Sequence, residues 1–263
     1  MPELPDVQVF KEYMDATCLH KRIHAVHLHD VDDLLKGTSA SILRRNLKGG
    51  VLESTRRHGK HLFMEVGDRG WLVLHFGMTG FVEYFKVDPG RVLEHARLVL
   101  DFQGGHALAY VNIRKLGSLG WTRDVKAFVE TAGLGTDALG ISRDGLAEFL
   151  ENRRGSLKGT LMNQKLMAGL GNVYADEVLF RTGVHPKKVA GGVEEEEVDE
   201  LHRNLQFVLR KAIEGRVEEF PPDFLIPHRE EGAKCPRCGG TIRKTRVSGR
   251  ATFFCEDHQK GRS

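Results

Sequence analysis

The sequence predicts a multidomain α+β protein: a β-rich front half behind a leading helix, a helical second half, and a small metal-held hairpin. Three observations carry this. Between about 22 and 122, short β-branched or apolar runs alternate with Gly-containing turns and no long helix intervenes, the pattern of a sandwich or barrel. After Trp121 the apolar period becomes helical. Near the end, Cys235-Pro-Arg-Cys238 and Cys255-Glu-Asp-His258 offer two pairs of soft ligands three apart, the spacing at which four ligands converge on Zn²⁺. The change of period divides the chain into a first domain at 1–122, a hinge at 123–142 supplied with Gly133, Gly135 and Gly140, a helical domain at 143–228 and the hairpin at 229–263.

In chain order, residues 5–17 read as a helix. Pro5 suits the first helical position and Asp6 the first turn, and Val7, Phe10, Met14 and Thr17 recur at helical spacing. Strands follow at 22–29, 50–57, 61–66, 71–76, 80–85, 97–102, 107–111 and 118–122. Gly104-Gly105 and His58-Gly59-Lys60 mark hairpin turns. Helices are predicted at 124–131, 143–152, 156–166, 172–182 and 195–214. The last is the most regular, with Val198, Leu201, Leu205, Val208 and Ala212 on one face, Glu194–Glu197 at its positive end and Gly215 as a stop. Thr241–Arg246 and Ala251–Phe254 read as the two strands of the terminal hairpin.

The 263 residues carry a net charge of only +3, but the charge is unevenly placed. From Arg229 to Ser263, nine Lys/Arg face four acids, a net +5, which is an electrostatic footprint for nucleic acid. No apolar run approaches the length of a membrane span and no charged-then-apolar leader opens the chain; the expectation is a soluble, cytoplasmic protein. One early cysteine, Cys18, and three late ones do not form a disulfide framework.

Several residues suggest chemistry on their own. If Met1 is removed, Pro2 carries a free secondary amine, and an α-amine titrates near pH 7.7–8.0, so it is nucleophilic at cellular pH. Glu3 beside it is a carboxyl group able to move protons. The competing reading is an ordinary terminus. Gly169-Leu170-Gly171-Asn172 precedes a helix, and its free N–H groups, with Asn172 as N-cap, would form a phosphate site that Lys158 and Lys165 reinforce; a plain Gly-rich cap is the alternative. Lys60 lies at a turn among Arg56, Arg57 and His58, where neighbouring cations lower a lysine's pKa; a solvated charge run is the alternative. Histidines 24, 27 and 29 read as surface rather than metal ligands. The four zinc ligands leave no open position, so the metal is expected to be structural and to supply folding energy to a hairpin too small for a core of its own.

Taken together, Pro-Glu-Leu-Pro at 2–5, Lys60 at its turn, Asn163-Gln164-Lys165 through Gly169-Leu-Gly-Asn172-Val-Tyr-Ala175, and the zinc hairpin with Gly249-Arg250-Ala-Thr252 resemble the formamidopyrimidine-DNA glycosylase / endonuclease VIII family of base-excision repair enzymes. The resemblance spans essentially the whole chain. It implies an N-terminal β-sandwich, a helix–two-turn–helix domain and a zinc-finger hairpin acting as a monomer, with damaged double-stranded DNA in a positive cleft. It also implies that Pro2 attacks C1′ and expels the damaged base, that Glu3 donates a proton, that Lys60 is the acid for β-elimination, and that Arg250 binds phosphate and assists δ-elimination. Lys158 and Asn172 match phosphate contacts, His95 and Arg114 match DNA contacts, and Met78 matches the side chain inserted where the base was. Cys235, Cys238, Cys255 and His258 would hold one Zn²⁺.

The sequence departs from the family pattern in four places. Asp6 replaces Glu. Leu116 replaces the usual Phe, so that wedge has no stacking ring. His258 replaces the fourth Cys, with imidazole still an accepted zinc ligand. The connection from Phe220 to Cys235 is short and has no Gly-Tyr-Phe loop, which leans toward oxidised pyrimidines or ring-opened purines over strict 8-oxoguanine specificity. The alternative is a non-catalytic DNA-binding protein that retains the scaffold.

Overall fold

The computed structural model describes residues 1–88, 90 and 93–259; Lys260 and Arg262 of the basic tail lie outside them. The elements are α1 (Leu4–Thr17), β1 (Ile23–Leu28), α2 (Ala40–Leu47), β2 (Leu52–His58), β3 (His61–Val66), β4 (Trp71–His75), β5 (Gly80–Lys86), β6 (Ala96–Phe102), β7 (His106–Asn112), β8 (Ser118–Thr122) and α3 (Val125–Thr131). The second half contributes β9 (Thr136–Asp137), α4 (Arg143–Leu150), α5 (Leu157–Leu161), β10 (Met167–Ala168), α6 (Asn172–Thr182), α7 (Glu195–Glu214), β11 (Ile242–Val247) and β12 (Arg250–Cys255). The chain divides into two compact units. One consists of Met1–Pro2 and Asp6–Ala132, the other of Glu3–Pro5 and everything from Gly133 on.

The first unit is a β-sandwich of two four-stranded antiparallel sheets, ordered β1-β6-β7-β5 and β2-β3-β4-β8. Alternate strand residues face between the sheets, where Leu62, Met64, Leu72, Leu74, Leu98, Leu100, Leu108 and Tyr110 fill the core with Val7 and Met14 of α1. Its hairpins are tight. His58 pairs with His61 across Gly59-Lys60, with Gly59 at φ +54, and Phe102 pairs with His106. The eight-residue α2 escaped the sequence pattern because only Leu43 and Leu47 of it are buried; Ser39 caps it by accepting from Ile42 N at 3.3 Å. The stretch 123–142, expected as hinge, contains α3, which packs Val125, Phe128 and Val129 on Phe63, Trp71 and Val73.

The second unit is a helical domain with the β11–β12 hairpin beside it. Val198, Leu201, Leu205, Val208, Leu209 and Ala212 of α7 pack with Tyr174, Ala175, Val178 and Leu179 of α6 and with Leu4 of the N-terminal segment. Glu194 and Glu197 form a capping box at the start of α7, which satisfies two of its free N–H groups. The predicted helix at 156–166 is only five residues of α5, because Asn163 and Gln164 turn the chain: Asn163 Oδ1 accepts from Lys165 N at 3.1 Å, and Gln164 Nε2 donates to Leu170 O at 2.7 Å. The hairpin shares a small apolar cluster with α6 and the segment before it: Phe180, Leu225, Cys235, Ile242 and Cys255. Among the described residues, no helix is long and apolar enough to cross a membrane.

Candidate functional site

The N-terminal residues are held by the glycine turn. Glu3, 1 % exposed, accepts from Gly171 N (2.7 Å) and Tyr174 N (3.4 Å) through Oε2 and from Val173 N (2.9 Å) through Oε1, while Leu4 N donates to Gly169 O at 3.0 Å. The N-cap of α6 is therefore Gly171, not Asn172 as the sequence suggested, and its missing side-chain cap is supplied by Glu3. The same contacts take the N–H groups that were expected to bind phosphate. Glycine is required here by space. A Cβ on Gly171 would stand 2.4 Å from Glu3 Cδ, and one on Gly169, at φ +117, would stand 2.5 Å from Leu4 Cδ1. Ordering a chain terminus costs about 1–2 kcal/mol per residue. Burying Leu4 completely returns about 2 kcal/mol, and each bond to the carboxylate about 1.5–3 kcal/mol, so the segment is fixed. Pro2, its neighbour in the chain, is half-buried and Met1 is exposed. Asn172 itself is half-buried, with Oδ1 enclosed and accepting no hydrogen bond.

Lys158, expected at a phosphate, has no exposed surface. Its Nζ stands 2.6 Å from Asp176 Oδ1 and donates to Thr252 Oγ1 at 2.7 Å and Ala251 O at 3.3 Å. In this arrangement it binds the hairpin rather than an external anion. A charged amine is buried only when paired, and Asp176, also 0 % exposed in its side chain, is that pair. Arg229 completes the cluster, with Nη2 2.8 Å and Nε 3.1 Å from Asp176 Oδ2. Arg250 is exposed at the start of β12, pairing with Val247 across a two-residue turn in which Ser248 and Gly249 both have positive φ, +48 and +75, the conformation that suits a tight hairpin.

At the hairpin base the sulfurs of Cys235, Cys238 and Cys255 lie within 4.8 Å of one another, and Gly240 N donates to Cys238 Sγ at 3.4 Å. This donor set and spacing fit a thiolate-bound zinc. His258 stands outside the three-sulfur cluster; its Nε2 is 2.7 Å from Phe180 O. An imidazole that donates one N–H to a carbonyl leaves the other nitrogen as a lone pair for a metal, so Nδ1 is the ligand atom this arrangement offers.

In the first unit, Lys60 occupies the β2–β3 turn, and Arg57 ties that turn to α1, donating to Gly59 O (3.1 Å) and to Gln8 Oε1 (3.0 Å). Met78, 40 % exposed, lies in the loop after β4, where Arg114 Nη1 approaches its Sδ at 3.5 Å and Arg114 N donates to Thr79 Oγ1 at 3.2 Å. Leu116 is 49 % exposed, and Gly77, at φ +61, has no room for a Cβ, which would stand 2.4 Å from the Leu116 backbone. The structure thus gathers Met78, Arg114 and Leu116 at one place. Buried Tyr110 and Asn112 support both loops: Tyr110 OH donates to His75 O (2.8 Å) and Asn112 Nδ2 to Phe76 O (3.1 Å). His95, at φ +60, is exposed and its carbonyl accepts from Asn112 N at 3.0 Å.

Residues that sequence reasoning passed over stand close to these. His75 and His61, ring centroids 4.9 Å apart, sit below the Lys60 turn. Burial, and then the Lys60 charge, lower His75 to about 4; burial and then the neighbouring His75 and His58 lower His61 to about 3. Asp176 and Glu177 are buried acids in α6. A carboxylate inside an apolar helical period is a signal that it is paired, and that signal was present in Ala175-Asp176-Glu177-Val178. Histidines 24, 27 and 29 are exposed, and His27 pairs with Asp101 at 2.8 Å.

Comparison with known proteins gives a consistent picture. Residues 1–119 match the formamidopyrimidine-DNA glycosylase N-terminal domain, 134–220 the formamidopyrimidine-DNA glycosylase H2TH domain, and 232–257 the zinc finger found in FPG and IleRS. The formamidopyrimidine-DNA glycosylase of Geobacter metallireducens is 34% identical over 269 residues, covering 97% of this chain and 98% of its own, and that of Pelobacter propionicus is 31% identical with the same coverage. Among solved structures, MutM in complex with DNA containing carbocyclic 8-oxo-G superposes with a TM-score of 0.89 at 28% identity, covering 99% of this chain and 100% of that one. The Lactococcus lactis Fpg complex with DNA containing an abasic site gives 0.88 at 28% identity, covering 98% and 100%.

Proposed function

The chain belongs to the formamidopyrimidine-DNA glycosylase family, and from that premise we propose that it removes ring-opened and oxidised bases from damaged duplex DNA through a Schiff base at Pro2, then cuts the abasic strand. As a member it is a DNA glycosylase of base-excision repair with a zinc-finger domain. The observation that carries the finer reading is Glu3: its carboxylate is locked by three backbone N–H groups one residue from the terminus, so an amine at Pro2 has a fixed proton-transfer partner beside it.

With Met1 removed, the Pro2 nitrogen attacks C1′, the glycosidic bond breaks, and the base leaves with a proton that Glu3 helps to deliver. The opened sugar then carries an iminium. Loss of a C2′ proton expels the 3′ phosphate, with Lys60 at the β2–β3 turn as the acid, and a second elimination, assisted by Arg250, expels the 5′ phosphate. Met78, Arg114 and Leu116 would enter the stack that the extruded nucleotide leaves, a gap that otherwise costs a few kcal/mol. His95 and Asn172 are assigned to DNA contacts, and Lys158 to the hairpin's support. One Zn²⁺, held by Cys235, Cys238, Cys255 and His258 Nδ1, would supply folding energy to the hairpin and take no part in the reaction. Solved relatives named for complexes with 8-oxo-G and abasic-site DNA support this substrate class.

Borohydride reduction on an abasic-site duplex tests the chemistry. Protein that begins at Pro2 is expected to form a covalent protein–DNA adduct, and protein that retains Met1 is not. Absence of an adduct from protein confirmed to begin at Pro2 would overturn the enzyme mechanism and favour a DNA-binding scaffold.

A further inference from the structure

We propose that Asp176 is a positioning residue that fixes the register of Arg250 relative to the seat of Glu3. The proposal rests on the roles given above to those two residues. Asp176 lies on α6 just beyond Val173 and Tyr174, whose N–H groups hold Glu3, and its carboxylate reaches the hairpin by two routes. Oδ2 accepts from Phe253 N of β12 at 3.1 Å, a side-chain bond to the strand's main chain. Oδ1 pairs with Lys158 at 2.6 Å, Lys158 Nζ donates to Thr252 Oγ1 at 2.7 Å, and Thr252 Oγ1 donates to Arg250 O at 3.2 Å. A line of buried polar contacts therefore runs from the helix that seats Glu3 to the carbonyl of Arg250. Thr252 has no exposed surface, as Asp176 and Lys158 have none.

The bond to Phe253 N is what makes this registration more than adhesion. Side chains alternate across a strand, so a one-residue slip turns every side chain to the opposite face. A slip of β12 against α6 would carry Arg250 away from its face while leaving most apolar contacts of the hairpin in place. Arg229, 2.8 Å from Asp176 Oδ2, keeps the carboxylate turned toward the strand, and the cluster supplies a buried, paired polar network of the kind that specifies a single arrangement.

The test uses full-length, zinc-loaded protein beginning at Pro2, on an abasic-site duplex. In Asp176→Asn, borohydride trapping is expected to stay within about twofold of wild type, while the ratio of δ- to β-elimination product falls at least about tenfold. Thr252→Val, which breaks only the route through Lys158, is expected to shift the ratio the same way by about threefold. An unchanged product ratio in Asp176→Asn overturns the proposal, as does a parallel loss of trapping and both products, which would make Asp176 a fold anchor only. If wild type itself never traps, the chemistry at Pro2 is what fails. Hydrogen exchange at the Phe253 amide then decides separately: protection lost in Asp176→Asn supports the registration, and protection retained overturns it.

Discussion

The carboxylate of Glu177, with no exposed surface, accepts a hydrogen bond from Ile226 N at 2.8 Å and so ties α6 to the segment that leads from α7 to the zinc hairpin. Burial raises this carboxyl from 4.5 to about 7, against the N–H donors of Ile226 and Leu225, which favour the charged form. The folded state therefore binds a proton that the unfolded chain has released between pH 4.5 and 7. The contribution is complete below about 4.5 and is lost as pH rises through 7, on the order of 3 kcal/mol at most. Glu177→Gln is expected to match wild type near pH 5 and exceed it near pH 8 in urea midpoint. Equal midpoints at both values would show that the group does not titrate on folding.

His61 and His75 slope the other way. Their folded values, about 3 and about 4, lie below the ordinary 6.5, so their contribution is present above 6.5 and is lost as pH falls toward 4 and 3. On the order of 3 kcal/mol for His75 and 5 kcal/mol for His61 is at stake at most. His75→Gln is expected to flatten the acid limb of a thermal-melting profile between pH 6.5 and 4; an unchanged limb contradicts this.

Gly171→Ala places a methyl group within 2.5 Å of the Glu3 carboxylate oxygen Oε1. Overpacking of this kind costs about 1–3 kcal/mol, and the displaced carboxylate is expected to lower single-turnover base excision on the order of 100-fold. Zinc content stays at wild-type level, because the metal site is built from other elements. Excision at the wild-type rate would mean that the Glu3 seat is not used in the reaction.

His258→Ala tests the proposal that His258 is the fourth zinc ligand beside the three cysteines. Removing partners around a metal site costs 10- to 100-fold in affinity even when they are not ligands, so a loss of about 100-fold or more is expected in competition with a chromogenic chelator. His258→Cys should recover it. Retention equal to wild type in His258→Ala assigns the fourth position elsewhere.

Leu116→Phe adds a ring to an exposed loop position without disturbing the core. Stacking on a base contributes about 1–3 kcal/mol, and binding of an abasic-site duplex is expected to tighten about tenfold, with a changed preference for the base opposite. Met78→Ala should weaken it. Filter binding at one fixed salt concentration reads both, and insensitivity to either change argues that this loop does not enter the stack.

The strands were legible because short apolar or β-branched runs survive in the sequence, and Gly59 and Gly104-Gly105 punctuate the turns where φ is positive. The short α2 was not, since two buried leucines in eight residues make no period. The site was legible as residue types and opaque as geometry. Asn172 looked like a cap because the true cap, Glu3, comes from 168 residues earlier than Gly171. Lys158 looked like a surface cation because nothing local reveals that Asp176, Arg229 and Thr252 close around it. The three cysteines were read correctly as a cluster because zinc spacing is local, whereas the orientation of His258 depends on the carbonyl of Phe180.

The glycine turn that receives Glu3 also orders events during synthesis. A chain is made from its N-terminus, so Glu3 leaves the ribosome long before Gly169, Gly171 and the first turn of α6, which fix its carboxylate and follow well over a hundred residues later. A nascent or truncated chain thus has Glu3 without the N–H groups that hold it. The seat of Glu3 is assembled only once the helical half has folded, so on the mechanism proposed above an incomplete chain has Pro2 without its fixed proton-transfer partner.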